Sequence, residues 1–530
     1  MKARAAVAFA VLLSFVSSAF AEETQRYLVA TKRPFRAGAR VETFRAVDGF
    51  AADLTSSEVA ELRRNASVRW IEPVVERHAF AQTARNLNAQ TTPYGVDLIE
   101  ARASWIAQHS AVINVVVIDT GIDYRHPELT GVYAGGYNFV SKNDDPFDDG
   151  AHGTHVSGTI AAANNDSGVV GVAPDVRLWA LKVLDSTGSG SSESVIKAVD
   201  WIIGKKATLG GNWVANLSLG SATSSALESA AFARGVAAGI LFVAASGNES
   251  SAGIAAPVAY PAAYDGVMAV GAVDEMKALA SFSNQGASLD VVAPGVDILS
   301  TLPVGNGTVA WVSKDGNTYN GAGLTGAKRG RVTGEYVYCG LGKANEIPAS
   351  VAGKIALIRR GEIRFGEKAK NAKEAGATGV AIFNNDTSAM NWTLINADDP
   401  ASSLYDWPVT VGITNADGEW LAAHAGGTIT IANEADDYGF YSGTSMASPH
   451  VAGAAALLWS VAPNATAAEI AQTLVATASD LGAPGRDTVF GAGLINVLAA
   501  MKRLAPGAVD PLNPAAGSRP STGRRILKRG

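Results

Sequence analysis

Residues 443–450 read Gly443-Thr444-Ser445-Met446-Ala447-Ser448-Pro449-His450, and the reading of this octapeptide decides the fold. A serine nucleophile needs its hydroxyl on a tight turn, with a positive dipole nearby to hold a developing oxyanion. Gly443 offers a turn without a Cβ clash. The run from Met446 to Val461 is nearly all apolar or small and predicts a buried helix. Pro449 is expected in its first turn, where a missing N–H costs little. Ser445 and its own N–H would then sit at the positive end of that helix. A serine that merely caps a core helix reads the same way, so neighbouring chemistry must decide.

Two further segments supply it. Val115-Val116-Val117-Ile118 is a β-branched run, expected as a strand buried on both faces of a parallel sheet. Asp119 ends it at the carboxyl edge, where open α/β sheets place their sites. There a carboxylate can serve as turn cap, metal ligand or triad acid. The second segment is Asp149-Gly150-Ala151-His152-Gly153-Thr154-His155, in which small residues leave room for a substrate backbone beside the His152 ring.

Together the three segments resemble the subtilisin-like serine proteases, or subtilases. Asp119, His152 and Ser445 occur in the Asp…His…Ser chain order of subtilisin. No serine has glycine at both −2 and +2, which excludes the nucleophile elbow of α/β-hydrolases, and no His-Glu-x-x-His zinc motif is present. The resemblance implies an α/β fold, a mostly parallel sheet with flanking helices. It makes Ser445 the nucleophile, His152 the general base and acid, and Asp119 the residue that orients the imidazole.

Asn248, in Ser246-Gly247-Asn248-Glu249, matches the family's side-chain oxyanion donor. Ser218-Leu219-Gly220 matches the strand on which the family lays an extended substrate. The primary pocket would be lined by Ala244, Ala245 and Gly247, with Ala259 at its base and Glu249 at its rim. His126-Pro127-Glu128-Leu129 and Ala163-Asn164-Asn165-Asp166-Ser167-Gly168-Val169 resemble the segments that bind structural Ca²⁺ through a carboxylate, an amide oxygen and backbone carbonyls. Glu128 and Asn165 are the side-chain candidates, with Gln90 or Gln82 as a further ligand. His155 is expected to donate a hydrogen bond within its own helix, and His126, His424 and His450 to be packed or solvated.

The chain of 530 residues exceeds one ordinary domain. A net charge of −6 gives no reason to expect nucleic acid as partner. The single cysteine, Cys339, excludes an intrachain disulfide. Lys2 and Arg4, the apolar stretch Ala5 to Val16 and Ala19-Phe20-Ala21 predict a bacterial-type signal peptide over 1–21, hence secretion. That stretch is too short to span a membrane.

Residues 22–80 read as a small α+β unit: a strand at Tyr27–Ala30, a capping box Thr55-Ser56-Ser57-Glu58 opening a helix, and a strand at Val68–Glu72. By resemblance it is an inhibitor-type propeptide, the enzyme's own intramolecular inhibitor. Its end falls at Phe80–Ala81 or Asn88–Ala89; an aromatic residue before the cut suits an apolar pocket and favours Phe80.

From Asp119 to His152 is 33 positions, but from His152 to Ser445 is 293, far more than a minimal subtilase needs. The family pattern pauses after Pro303 and resumes at Asp437, so 304–436 is expected to be a guest between catalytic parts 81–303 and 437–505. Within it Val351–Gly361, Phe365–Ala375 and Gly376–Asn385 give a β–α–β order that resembles the protease-associated (PA) domain. Members of that family often pair two cysteines here, and by this resemblance Ile363 stands at the position of Cys339's partner. Residues 506–530 are rich in Pro, Gly, Ser and Arg and read as a disordered tail. The expected protein is a monomeric zymogen acting on polypeptides; the rival reading is a silent subtilase fold that binds through its PA domain.

Overall fold

The computed structural model describes residues 24–32, 42–44, 46–74, 76–78, 90–105, 107, 111–251, 253–386, 392–396 and 398–509. The signal peptide, both alternative cleavage points, Gln82 and the last part of the tail lie outside the described residues.

Two compact units divide the chain at Val74/Val75. The first contains β1 (Gln25–Thr31), β2 (Glu42–Thr43), β3 (Gly49–Leu54), α1 (Ser56–Arg64) and β4 (Val68–Pro73), in an antiparallel sheet ordered β2-β3-β1-β4. The capping box forms: Glu58 N donates to Thr55 Oγ1 and Thr55 N to Glu58 Oε2. Val59 of the helix packs with Val29, Phe50, Ala52 and Leu54.

The second unit begins with a short strand, β5 (Glu76–His78), and two short helices, α2 (Tyr94–Leu98) and α3 (Ala101–Ser104). Its centre is a parallel sheet of β6 (Asn114–Asp119), β7 (Tyr133–Asn138), β8 (Arg177–Lys182), β10 (Trp213–Leu217), β11 (Ile240–Ala245), β12 (Val267–Val273) and β13 (Val291–Pro294), ordered β13-β12-β11-β10-β6-β8-β7. Every residue of β6 is buried, as its β-branched run predicts. Helices α4 (His152–Ala161), α5 (Ser192–Leu209), α6 (Ala226–Ala237), α9 (Thr444–Val461), α10 (Ala467–Ala476) and α11 (Val497–Leu504) surround the sheet. Of these, α9 is buried from Thr444 to Ser460 and packs on β10, β11, β12 and α4. Between β8 and α5, β9 (Ser189–Ser191) pairs antiparallel with β5.

After β13 the chain forms β14 (Ile298–Thr301), which pairs antiparallel with β22 (Tyr438–Tyr441). Leu302 N then donates to Asp437 O at 2.7 Å. This hairpin carries an entire barrel in its loop. Strands β15 (Gly307–Lys314), β16 (Asn317–Gly323), β17 (Gly330–Tyr338), β18 (Ile355–Arg359), β19 (Gly379–Phe383), β20 (Thr410–Ile413) and β21 (Thr428–Asp436) close in the order β15-β16-β20-β19-β18-β17-β21. The expected β–α–β order is β18, α7 (Phe365–Glu374) and β19, with the two strands parallel. Helix α8 (Asn415–Ala423) follows β20. Val312, Leu357, Phe383 and Ile431 fill one core cluster, and Cys339, Ile358, Ala369 and Ile382 fill another. Cys339 is a buried free thiol, and burial pushes its pKa up to about 11, so it packs as a small apolar group.

Candidate active site

Asp119 ends β6 at the carboxyl edge of the sheet, and His152 opens α4. His152 Nδ1 and Asp119 Oδ1 are 2.7 Å apart, with Asp119 fully buried and His152 4% exposed. Only glycine fits at 153: a Cβ there would lie 2.1 Å from Gly121 O and 3.1 Å from Asp119 Cβ. Ala151, at φ +72°, turns the chain into α4.

Asp148 holds this turn. Its Oδ1 accepts from Thr120 Oγ1, Gly150 N and Ala151 N, and its Oδ2 from Thr154 N and Thr154 Oγ1. Burial pushes the Asp148 carboxyl up, against these donated bonds. Lys182 Nζ grips the same neighbourhood from β8, donating to Thr120 O, Leu184 O and Asp149 Oδ1. Neither group drew notice in the sequence. Asp148 lies four residues before His152, but an acidic surface loop reads the same.

Ser445 is the second residue of α9, after Thr444. Its Oγ donates to Ser218 O at 3.0 Å, and Ser218 Oγ donates back to Ser445 O at 2.7 Å. Ser218 directly follows β10, so the candidate nucleophile and the candidate substrate edge are joined. Pro449 lies in the second turn of α9 rather than the first, because the helix begins at Thr444.

Asn248 Oδ1 accepts from Thr444 N at 2.9 Å and Thr444 Oγ1 at 2.8 Å. Two donors on one amide oxygen fix the orientation of the group and leave Nδ2 as its outward donor. Thr444 Oγ1 also accepts from Gly247 N, so one threonine ties the Gly247-Asn248 turn to the start of α9. The sequence reading missed this residue, although it stands beside Ser445.

Around the candidate pocket, Ala245, Leu219 and Ala259 are buried, and Ala259 N donates to Ser246 O. A Cβ on Gly220 would lie 3.4 Å from Ala259 Cβ, so the two walls touch. Gly247, at φ +105°, leaves no room for a side chain beside Asn284. Glu249 is exposed, and its carboxylate accepts from Asn284 Nδ2. A second edge, β9 at Ser189–Ser191, was not anticipated; β5 lies along it with Glu76 opposite Ser191 and His78 opposite Ser189.

Away from this cleft, Gln90 Nε2 lies 2.8 Å from Ala163 O, 3.4 Å from Asn165 Oδ1, 3.2 Å from Ser167 O and 3.5 Å from Val169 O. Glu128 adjoins, its Oε2 accepting from Asn165 Nδ2 and its Oε1 from Tyr438 OH. Burial raises the Glu128 pKa. Among the described residues, no group of three or more His, Cys, Asp or Glu side chains is placed to hold a metal ion.

His155 and His126 are structural. His155 does not bond within its helix, as the sequence reading expected: Nε2 lies 2.9 Å from Ile298 O and 3.1 Å from Gly439 O, because the buried ring points across to β14 and β22. His126 Nδ1 accepts from Glu128 N, so Nε2 donates to Asp437 O. No helix among the described residues is long and apolar enough to cross a membrane.

The Subtilase family model matches residues 111–324 and 386–493, and the PA domain model matches 332–421. Subtilisin E of Bacillus subtilis (strain 168) is 43% identical over 264 residues, which cover 49% of this chain and 65% of the relative. Subtilisin of Bacillus pumilus is 47% identical over 219 residues, covering 41% and 77% respectively. The chain thus spans just under two thirds of the length of subtilisin E. The crystal structure of the psychrophilic subtilisin-like protease Apa1 from the Antarctic psychrotroph Pseudoalteromonas sp. AS-11 superposes with a TM-score of 0.58 at 31% identity, covering 80% of this chain and all of that one. The chain belongs to the subtilase family and carries a PA domain within its catalytic fold.

Proposed function

We propose that this chain is the precursor of a secreted serine endopeptidase that cleaves polypeptides through an acyl-enzyme. Ser445 Oγ attacks the scissile carbonyl, His152 takes its proton and returns it to the leaving amine, and Asp119 stabilises the imidazolium. Asn248 Nδ2 and the Ser445 N–H at the start of α9 receive the oxyanion. The observation that carries the reading is the buried 2.7 Å contact of His152 Nδ1 with Asp119. A carboxylate there selects the Nδ1–H tautomer and leaves Nε2 to act as base. An extended substrate would add a strand against Ser218-Leu219-Gly220.

Self-processing belongs to the same proposal. The antiparallel seating of β5 on β9 supports a propeptide whose end lies in the cleft, and Phe80–Ala81 follows His78 by two residues. Ser445→Ala should abolish hydrolysis of a chromogenic peptide and accumulate as an uncleaved proform beginning near residue 22. Mature-sized mutant protein from a host lacking extracellular proteases would defeat self-processing, and residual peptide cleavage would defeat the nucleophile assignment.

Structural Ca²⁺ fits the Gln90 loop. One amide nitrogen faces four oxygens, three of them backbone carbonyls, and turning the Gln90 amide would present a fifth. With the Glu128 carboxylate beside them, this is an oxygen set suited to calcium. Gln90, Asn165, Glu128 and the carbonyls of Ala163, Ser167 and Val169 would hold the ion, whose part is to tie the start of the catalytic fold to its own loop.

A further inference from the structure

We infer that the Ser218 side chain is a positioning residue for the Ser445 nucleophile, and that Pro449 creates the need for it. The inference rests on the endopeptidase reading and deepens it. In a regular α-helix the N–H of residue 449 would bond the carbonyl of residue 445. Pro449 has no N–H to give, and Ser445 is fully buried, so its carbonyl would be left without a helical partner. Ser218 Oγ fills the gap at 2.7 Å.

The Ser218 hydroxyl has no freedom to do otherwise. It is fully buried, and its single proton goes to Ser445 O. Asn216 Nδ2 donates to it at 2.9 Å, and Ser448 Oγ lies 3.0 Å away and must therefore act as donor. Ser445 Oγ returns the contact to Ser218 O at 3.0 Å. The residue that opens the substrate edge thus holds the backbone of the nucleophile with its side chain and receives the resting hydroxyl with its carbonyl. Substrate and Ser445 share one register, and small displacements of a reacting group are expensive: about 1 Å of misplacement can cost ~10²-fold in rate.

Ser218→Ala removes only the hydroxyl and keeps the backbone edge, so the loss should fall on kcat, by about ten- to a hundredfold, with KM within about twofold. The decisive comparison repeats this substitution beside Pro449→Ala. Alanine at 449 supplies the missing N–H to Ser445 O, so Ser218→Ala should cost several-fold less in that background. The second-order rate at which a small sulfonyl fluoride labels Ser445 should follow the same pattern without any contribution from peptide binding, and circular dichroism reports whether each variant folds. An unchanged kcat in Ser218→Ala, a loss seen in KM alone, or an equal loss in both backgrounds would overturn the inference. Absence of labelling in the unsubstituted protein would instead defeat the endopeptidase reading beneath it.

Discussion

Replacing Asp148 by asparagine tests whether the turn between Asp119 and His152 is built for catalysis or only for stability. Asp148 accepts bonds from the Thr120 hydroxyl, the N–H groups of Gly150, Ala151 and Thr154, and the Thr154 hydroxyl. Asparagine keeps one oxygen, which can serve the first three donors. Its NH₂ then faces the Thr154 N–H, donor against donor, while the Thr154 hydroxyl can rotate away. One buried N–H loses its acceptor, at a cost of ~1–3 kcal/mol. For a unit of this size about 2 °C of melting temperature goes with each kcal/mol, so the shift should be ~2–6 °C.

The catalytic effect should be larger than that shift suggests, because Thr154 lies in the first turn of the helix opened by His152. A loosened turn lengthens the His152–Asp119 contact. The carboxylate then holds the tautomer and orientation of the imidazole less firmly. The plateau of the kcat/KM profile should drop by about 10²-fold. The assay is hydrolysis of a chromogenic peptide from pH 5 to 9, beside thermal melting. A lower melting temperature with an unchanged plateau would show that Asp148 supports the fold alone, and this reasoning would fail.

Three further outcomes can be measured on the same protein. Adding Ca²⁺ at about 100 times its Kd should raise stability by ~2.7 kcal/mol, and Glu128→Ala should erase the difference; identical melting with and without chelator would count against the Gln90 loop as a metal site. Deleting 305–436 leaves Leu302, Pro303, Val304 and Asp437 between the paired strands β14 and β22, so small-peptide cleavage should stay within about tenfold while action on folded proteins changes; a variant that folds but cleaves no peptide would show that the barrel builds the site. Burial holds the His155 pKa at about 3 and the His450 pKa at about 4, below the ordinary 6.5 of the unfolded chain. Both are neutral in the fold, so the stability they contribute is complete above pH 6.5 and is lost as pH falls, by up to ~2.7 kcal/mol per unit (twice 1.36) near pH 5; in Ser445→Ala protein, an unchanged denaturation midpoint between pH 7.5 and 4.5 would refute this.

What the sequence revealed and what it concealed differ by a physical criterion. Asp119, His152, Ser445 and Asn248 each sit where a strand or a glycine-rich turn meets a helix or loop, and such junctions leave short local signatures. The buried β-branched strand, the capping box at Thr55 and the β–α–β order inside the guest are likewise local. Bonds between distant segments leave no such trace. The contact of Ser218 with Ser445 spans 227 positions, and that of His155 with Gly439 spans 284, so no window of sequence displays either. His155 shows how this misleads. Its place on α4 suggested a bond within the helix, but the buried ring reaches across the core to Ile298 O on β14 and Gly439 O on β22. Pro449 is the instructive intermediate case. A proline in an otherwise regular helix announces, from sequence alone, that the carbonyl four residues back is free; only the fold says who takes it. That vacancy falls on the proposed nucleophile itself, and the group that fills it comes from the proposed substrate edge. The break in the helix therefore joins the two parts of the site that must move as one.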